Sequence, residues 1–140
     1  ASAFFGGLAG NAGLFSTARD VARVYQMLLN GGEIDGQRYL SKETCQLFTT
    51  ETSKISRRGL GFDKPDADDP KKGNCAPAAP AEVYGHTGFT GTCAWVDPVN
   101  ELVYVFLSNR IYPDVTNRKL NQLHIRERIQ GAIYDAMKKK

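Results

Sequence analysis

Apolar residues recur with two different periods along this chain of 140 residues, and the change of period divides it. Val21, Val24, Tyr25 and Leu28 stand at i, i+3, i+4 and i+7, the spacing of one helix face. Ser16 or Thr17 can cap that helix, Thr17-x-x-Asp20 approximates a capping box, and Gly31-Gly32 supplies a left-handed stop. Asp35-Gly36 reads as a turn. Ser41 then caps a second helix of about two to three turns running through Thr50.

From residue 58 the pattern becomes strand-like. Arg58 to Phe62 predicts a short strand. Residues 63–82 carry prolines at 65, 70, 77 and 80, which predicts a long loop, either a surface excursion or the rim of a cleft. Three strands follow, Glu82 to Thr87, Thr92 to Val96 and Leu102 to Ser108. Asp97-Pro98-Val99-Asn100 should join the last two as an antiparallel hairpin. Leu102 to Leu107 is apolar on both faces, so both should be covered. A last helix, Leu120 to Lys139, sets Ile125, Ile129, Ile133 and Met137 four apart beside Ala132 and Ala136, a stripe suited to packing on the sheet. His124, near its start, reads as a partly exposed helix residue. The expected class is α+β, an antiparallel sheet with flanking helices. It forms one unit, residues 1–57 mainly helical and 58–140 holding the strands, the 63–82 loop and the C-terminal helix.

Composition narrows the function classes. The chain is 41% hydrophobic with a formal charge of +3, too small for a nucleic-acid partner, and it has no basic patch interleaved with aromatics. Its one charge run, Lys138-Lys139-Lys140, suits the C-terminal end of a helix dipole. No apolar stretch is long enough for a membrane span. Cys45, Cys75 and Cys93 show no C-x-x-C spacing and no histidine at ligand distance, so neither a zinc site nor any cofactor is expected. Cys45 is placed on a helix, Cys93 in a buried strand and Cys75 in a polar loop, with no obligatory disulfide.

The candidate chemistry lies in Tyr84-Gly85-His86-Thr87-Gly88-Phe89-Thr90-Gly91. A strand-like approach, a side chain able to carry a cation and three glycines are what an oxyanion-binding strand edge requires. Gly88 and Gly91 lack a Cβ, so a ligand or another backbone can come close. On spacing alone the segment also fits a glycine-rich turn entering a buried strand, with His86 a satisfied polar residue.

Its company decides between these readings. Leu8-Ala9-Gly10-Asn11-Ala12-Gly13-Leu14-Phe15-Ser16-Thr17-Ala18-Arg19-Asp20-Val21-Ala22, then Met27-Leu28-Leu29-Asn30-Gly31-Gly32, then Leu40-Ser41-Lys42-Glu43-Thr44, resemble the second half of the serine β-lactamase and penicillin-binding-protein superfamily. The class C type, with its esterase and D-aminopeptidase relatives, is the most similar branch. That resemblance makes His86-Thr87-Gly88 the third active-site motif, Lys-Thr-Gly or His-x-Gly. It implies an incomplete β-lactamase/transpeptidase-like fold in which His86 orients a substrate or assists proton movement and Thr87 adds a hydroxyl. Gly88 permits close approach, Phe89 N–H forms half of an oxyanion hole, and Thr90 and Gly91 complete the substrate edge.

Neither Ser-x-x-Lys nor Tyr-x-Asn or Ser-x-Asn occurs in the chain. The expectation is therefore a C-terminal portion of an acyl hydrolase, inactive alone, whose parent takes a small acyl substrate or a cell-wall peptide. Histidine is not a permanent cation at neutral pH, so the motif favours esters or D-amino-acid amides over β-lactams. The resemblance implies a periplasmic or secreted setting. An exposed edge at Leu102 to Ser108 is expected to drive self-association. The alternatives are a non-catalytic module of the kind appended to secreted glycoside hydrolases, and an assembly domain.

Overall fold

A computed structural model describes residues 2–7, 9, 12–50, 55–66, 68–69 and 73–138. Helix α1, Ala18–Leu29, is capped by Thr17, whose hydroxyl accepts from Asp20 N–H at 3.2 Å and donates to the Asp20 carboxylate at 2.8 Å. The helix ends in a Schellman motif. Gly31 N–H donates to Leu28 O and Gly32 N–H to Met27 O, with positive φ at both glycines. Val21, Tyr25 and Leu28 of its apolar face are half-buried, whereas Val24 is exposed.

Asp35 and Gly36, both at positive φ, turn the short hairpin of β1, Glu33–Ile34, and β2, Gln37–Arg38. Ser41 caps α2, Lys42–Thr49, by accepting from Thr44 N–H at 3.1 Å. Strands β3, Tyr84–Thr87, β4, Cys93–Asp97, and β5, Leu102–Phe106, form an antiparallel sheet in that spatial order. In register, His86 faces Ala94 and Trp95 faces Tyr104. The central strand is β4, buried at every position.

The sheet is covered unequally on its two faces. Helix α1 packs on β4 and β5. On the opposite face Cys75, Val83, Cys93, Trp95 and Tyr104 make the core, with Ile133 of α4 against it.

Several expectations are corrected. Residues 58–62 are not a strand: Gly59 N–H donates to Phe62 O, which turns the chain, and only Asp63 bridges to β3. Only Tyr104 of β5 is fully buried, because β5 lies at an edge and the apolar residues around it are partly covered. The last helix is broken. Short α3, Lys119–Gln122, and α4, Ile125–Met137, meet at His124, which is left-handed and exposed. The buried face of α4 is Arg126, Gln130 and Tyr134; of the isoleucine stripe, Ile133 packs against the core and Ile125 is half-buried, whereas Ile129 and Met137 are 38% and 39% exposed.

Hydrogen bonds explain that rotation. Gln130 accepts from Ala76 N–H at 2.8 Å, Tyr134 donates to the Asp97 carboxylate at 2.8 Å, and Arg126 O accepts from Tyr104 at 3.2 Å. These buried polar groups would be costly unpaired, so they set the helix orientation. Cys75 is buried rather than in a polar loop, and all three cysteines are free thiols. Of the terminal lysine run, Lys139 and Lys140 lie outside the described residues, as do Leu8, Gly10 and Asn11 of the N-terminal motif.

Candidate active site

Side chains of β3 alternate between the two faces of the sheet. Tyr84 is buried against Phe62, and the Phe62 ring also meets Tyr25 of α1, so the Tyr84 face is the one α1 covers. His86 follows on the same face and is exposed. Its Nδ1 lies 2.7 Å from the Thr87 carbonyl oxygen. A carbonyl only accepts, so Nδ1 carries the proton in this bond and Nε2 is the nitrogen left for an outside partner. Thr87 is half-buried, and the pleat directs it to the opposite face, level with Cys93. The strand therefore does not set the Thr87 hydroxyl beside the imidazole.

The turn from Gly88 to Gly91 joins β3 to β4. Gly91 N–H donates to Gly88 O at 2.9 Å, and Gly88 N–H donates to Thr92 O at 2.8 Å. Gly91 has φ of 93°, whereas Phe89 and Thr90 have negative φ, the form of a three-residue hairpin loop with glycine in the left-handed position. The Phe89 amide lies outside this ring of bonds and donates to no acceptor among the described residues. The room at the two glycines is taken by the protein itself. A Cβ on Gly88 would lie 2.3 Å from Thr92 Oγ1, and one on Gly91 2.6 Å from Ser108 Oγ.

Asp63, which the sequence pattern did not single out, anchors β3 from its outer side. Arg57 grips its carboxylate with Nε at 2.9 Å and a terminal nitrogen at 3.1 Å, and Asn74 donates at 2.9 Å. Burial pushes the Asp63 carboxyl up, but the hydrogen bonds of Asn74 and Arg57 and the charges of Arg57 and Arg58 outweigh it and hold it below its usual value. A hollow of about 720 Å³ lies under α1 and α2 and reaches the sheet at Tyr84, two residues short of His86. Among the described residues no cluster of His, Cys, Asp or Glu could hold a metal ion.

With this geometry in view, residues 2–127 match the family model described as Beta-lactamase. The chain belongs to the beta-lactamase family. It is 37% identical over 116 residues to a protein of Escherichia coli O157:H7 described as "Putative D-alanyl-D-alanine carboxypeptidase", covering 83% of this chain and 26% of that one. A Salmonella agona protein of the same description is 36% identical over 116 residues, covering 83% and 27%. The chain thus spans about a quarter of the length of these curated relatives. A crystal structure of a penicillin-binding protein homolog from Caulobacter crescentus superposes with a TM-score of 0.50 at 26% identity, over 64% of this chain and 24% of that one. The three-stranded antiparallel sheet between helices is accordingly part of a penicillin-binding-protein-like α+β fold.

Proposed function

We propose that the β3–β4 hairpin is the substrate-orienting and oxyanion-binding part of a serine acyl hydrolase acting on peptides that end in D-amino acids, with esters and β-lactams as related acyl donors. One observation carries this reading: a single hairpin presents an uncommitted His86 Nε2 and, three residues on, an unengaged Phe89 N–H.

When a serine attacks an acyl carbonyl, negative charge grows on the carbonyl oxygen. A fixed N–H aimed at that oxygen contributes about 3 kcal/mol of transition-state stabilisation. Phe89 N–H fills that role, and the nucleophile's own N–H supplies the second donor. His86 Nε2 orients the substrate or passes a proton near the leaving group. None of the chain's serines is followed three residues later by lysine, so the nucleophile and its base come from outside these 140 residues. A peptide substrate agrees with the relatives described as carboxypeptidases, and a periplasmic or secreted setting goes with it.

Beyond its pairing with β4, strand β5 has no partner strand among the described residues. We infer that the 140 residues by themselves self-associate along that edge. A monomeric mass across a wide concentration range in light scattering would refute this.

The deciding experiment is intact mass after treatment with a fluorophosphonate and with a penicillin, on this chain and on an enzyme containing it. An adduct on the larger enzyme alone supports the reading. An adduct on neither points to a non-catalytic module, and one on the 140 residues means the nucleophile lies within them.

A further inference from the structure

The segment that leaves β5 folds back onto the β3–β4 turn. Thr90 O accepts two hydrogen bonds from it, one from Arg110 N–H at 2.9 Å and one from the Ser108 hydroxyl at 3.1 Å. Arg110 also lays its guanidinium over the Phe89 ring, with the central carbon 4.9 Å from the ring centroid, and its Nη1 reaches Val115 O at 3.4 Å. Ser108 Oγ and Arg110 Cγ occupy the space where a Cβ of Gly91 would stand, at 2.6 and 3.3 Å. One short segment therefore holds three consecutive turn residues: Phe89 by its ring, Thr90 by its carbonyl and Gly91 by close packing.

The peptide unit joining Gly88 to Phe89 carries the unengaged N–H. A hairpin turn closed only by its own bonds rocks about its ends, and its outward N–H rocks with it. A donor to a developing oxyanion acts only when it is already aimed, since about 1 Å of misplacement costs on the order of a hundredfold in rate. Phe89 is 70% exposed, so burial does not hold its ring. Arg110 does, through a cation–π contact.

We propose that Ser108 and Arg110 are positioning residues that clamp the Gly88–Gly91 turn and so aim Phe89 N–H at the oxyanion. This rests on the oxyanion reading above and adds to it the residues that make the donor rigid. They touch the turn, not the substrate, so their loss lowers turnover and leaves substrate affinity nearly unchanged.

The test is steady-state kinetics on an ester substrate, in an enzyme that contains this chain and the catalytic serine. Ser108→Ala and Arg110→Gln are each expected to lower kcat about tenfold with KM within about twofold, and Ser108→Thr, which keeps the hydroxyl, to restore kcat. Ser108→Ala deletes one hydroxyl while Arg110 N–H still holds Thr90 O, so this variant remains a folded test if Arg110→Gln does not. Unchanged kcat in Ser108→Ala would overturn the clamp, as would a raised KM at constant kcat, which marks substrate contact. Phe89→Pro separates this idea from the one beneath it, because proline removes the N–H itself. Full kcat in Phe89→Pro defeats the oxyanion reading. A large loss in Phe89→Pro beside an undisturbed Ser108→Ala defeats the clamp alone.

Discussion

Asp63 and Gly85 form a single antiparallel bridge, Asp63 N–H donating to Gly85 O at 2.7 Å and Gly85 N–H donating to Asp63 O at 3.0 Å. The bridge gives the edge strand β3 an outer neighbour one residue before His86. It ends there, so His86 and Thr87 keep an open side toward solvent. The carboxylate of Asp63, held by Arg57 and Asn74, fixes the bridge in place. The long loop is thereby tied to the strand that presents the candidate chemistry.

Removing that anchor should be felt as lost stability and as altered acid sensitivity. Asp63 has a folded-state pKa below the unfolded value of about 3.9. Its contribution is therefore complete above about pH 4 and is lost as pH falls through the lowered folded value. Asp63→Ala should cost roughly 3 kcal/mol by denaturant melt at pH 7, since it strands part of the Arg57 charge. Asp63→Asn should flatten the stability profile below about pH 4.

Gly85 is required for close approach. A Cβ there would lie 2.1 Å from Ala94 O and 2.6 Å from Trp95 Cε3, both in the buried central strand. Gly85→Ala should destabilise by about 3 kcal/mol or more. Gly61, whose Cβ would meet nothing within 4 Å, serves as the control. Gly61→Ala should stay within about 0.5 kcal/mol in the same chemical melts.

Gly131 lies inside α4, with nothing within 4 Å of the position a Cβ would take. Alanine there restricts the unfolded chain and fits the helix. Gly131→Ala should stabilise by about 0.5–1 kcal/mol, raising Tm by about 2–4 °C in calorimetry.

Burial pushes the Cys75 thiol up to about 12, helped by the nearby Asp63 and Glu127 carboxylates, and the Cys93 thiol up to about 11. The thiolate is the reactive form, so neither should react readily at pH 8. Ellman's reagent should label Cys75 and Cys93 at least a hundredfold more slowly in the folded chain than in guanidinium, where all three cysteines become available.

Much of the local structure was legible in the residues. Thr17 and Ser41 cap their helices because short side-chain oxygens reach free amides a few positions ahead, and Gly31-Gly32 ends α1 because both need positive φ. Asp35-Gly36 makes its turn for the same kind of reason. The three strands and the hairpin at Asp97 to Asn100 followed from period and turn chemistry. These features depend on neighbours within a few residues, so sequence order carries them.

What the sequence pattern misplaced depends on partners far along the chain. The α4 stripe promised four apolar side chains on the sheet, yet beside Ile133 it is Gln130 and Tyr134 that turn inward, because Ala76 N–H, 54 residues away, and Asp97, 37 away, must be satisfied there. Asp63 reads as a loop aspartate until Arg57, Asn74 and Gly85 converge on it, and Cys75 reads as a loop cysteine until the core closes over it. The same division runs through the candidate site. The residues from His86 to Gly91 marked a candidate motif, and the segments from Leu8 to Thr44 beside it were enough to mark the family. Only the fold brought Ser108 and Arg110 onto the turn, because periodicity records which way a side chain leaves its own backbone and not what long-range packing brings to meet it.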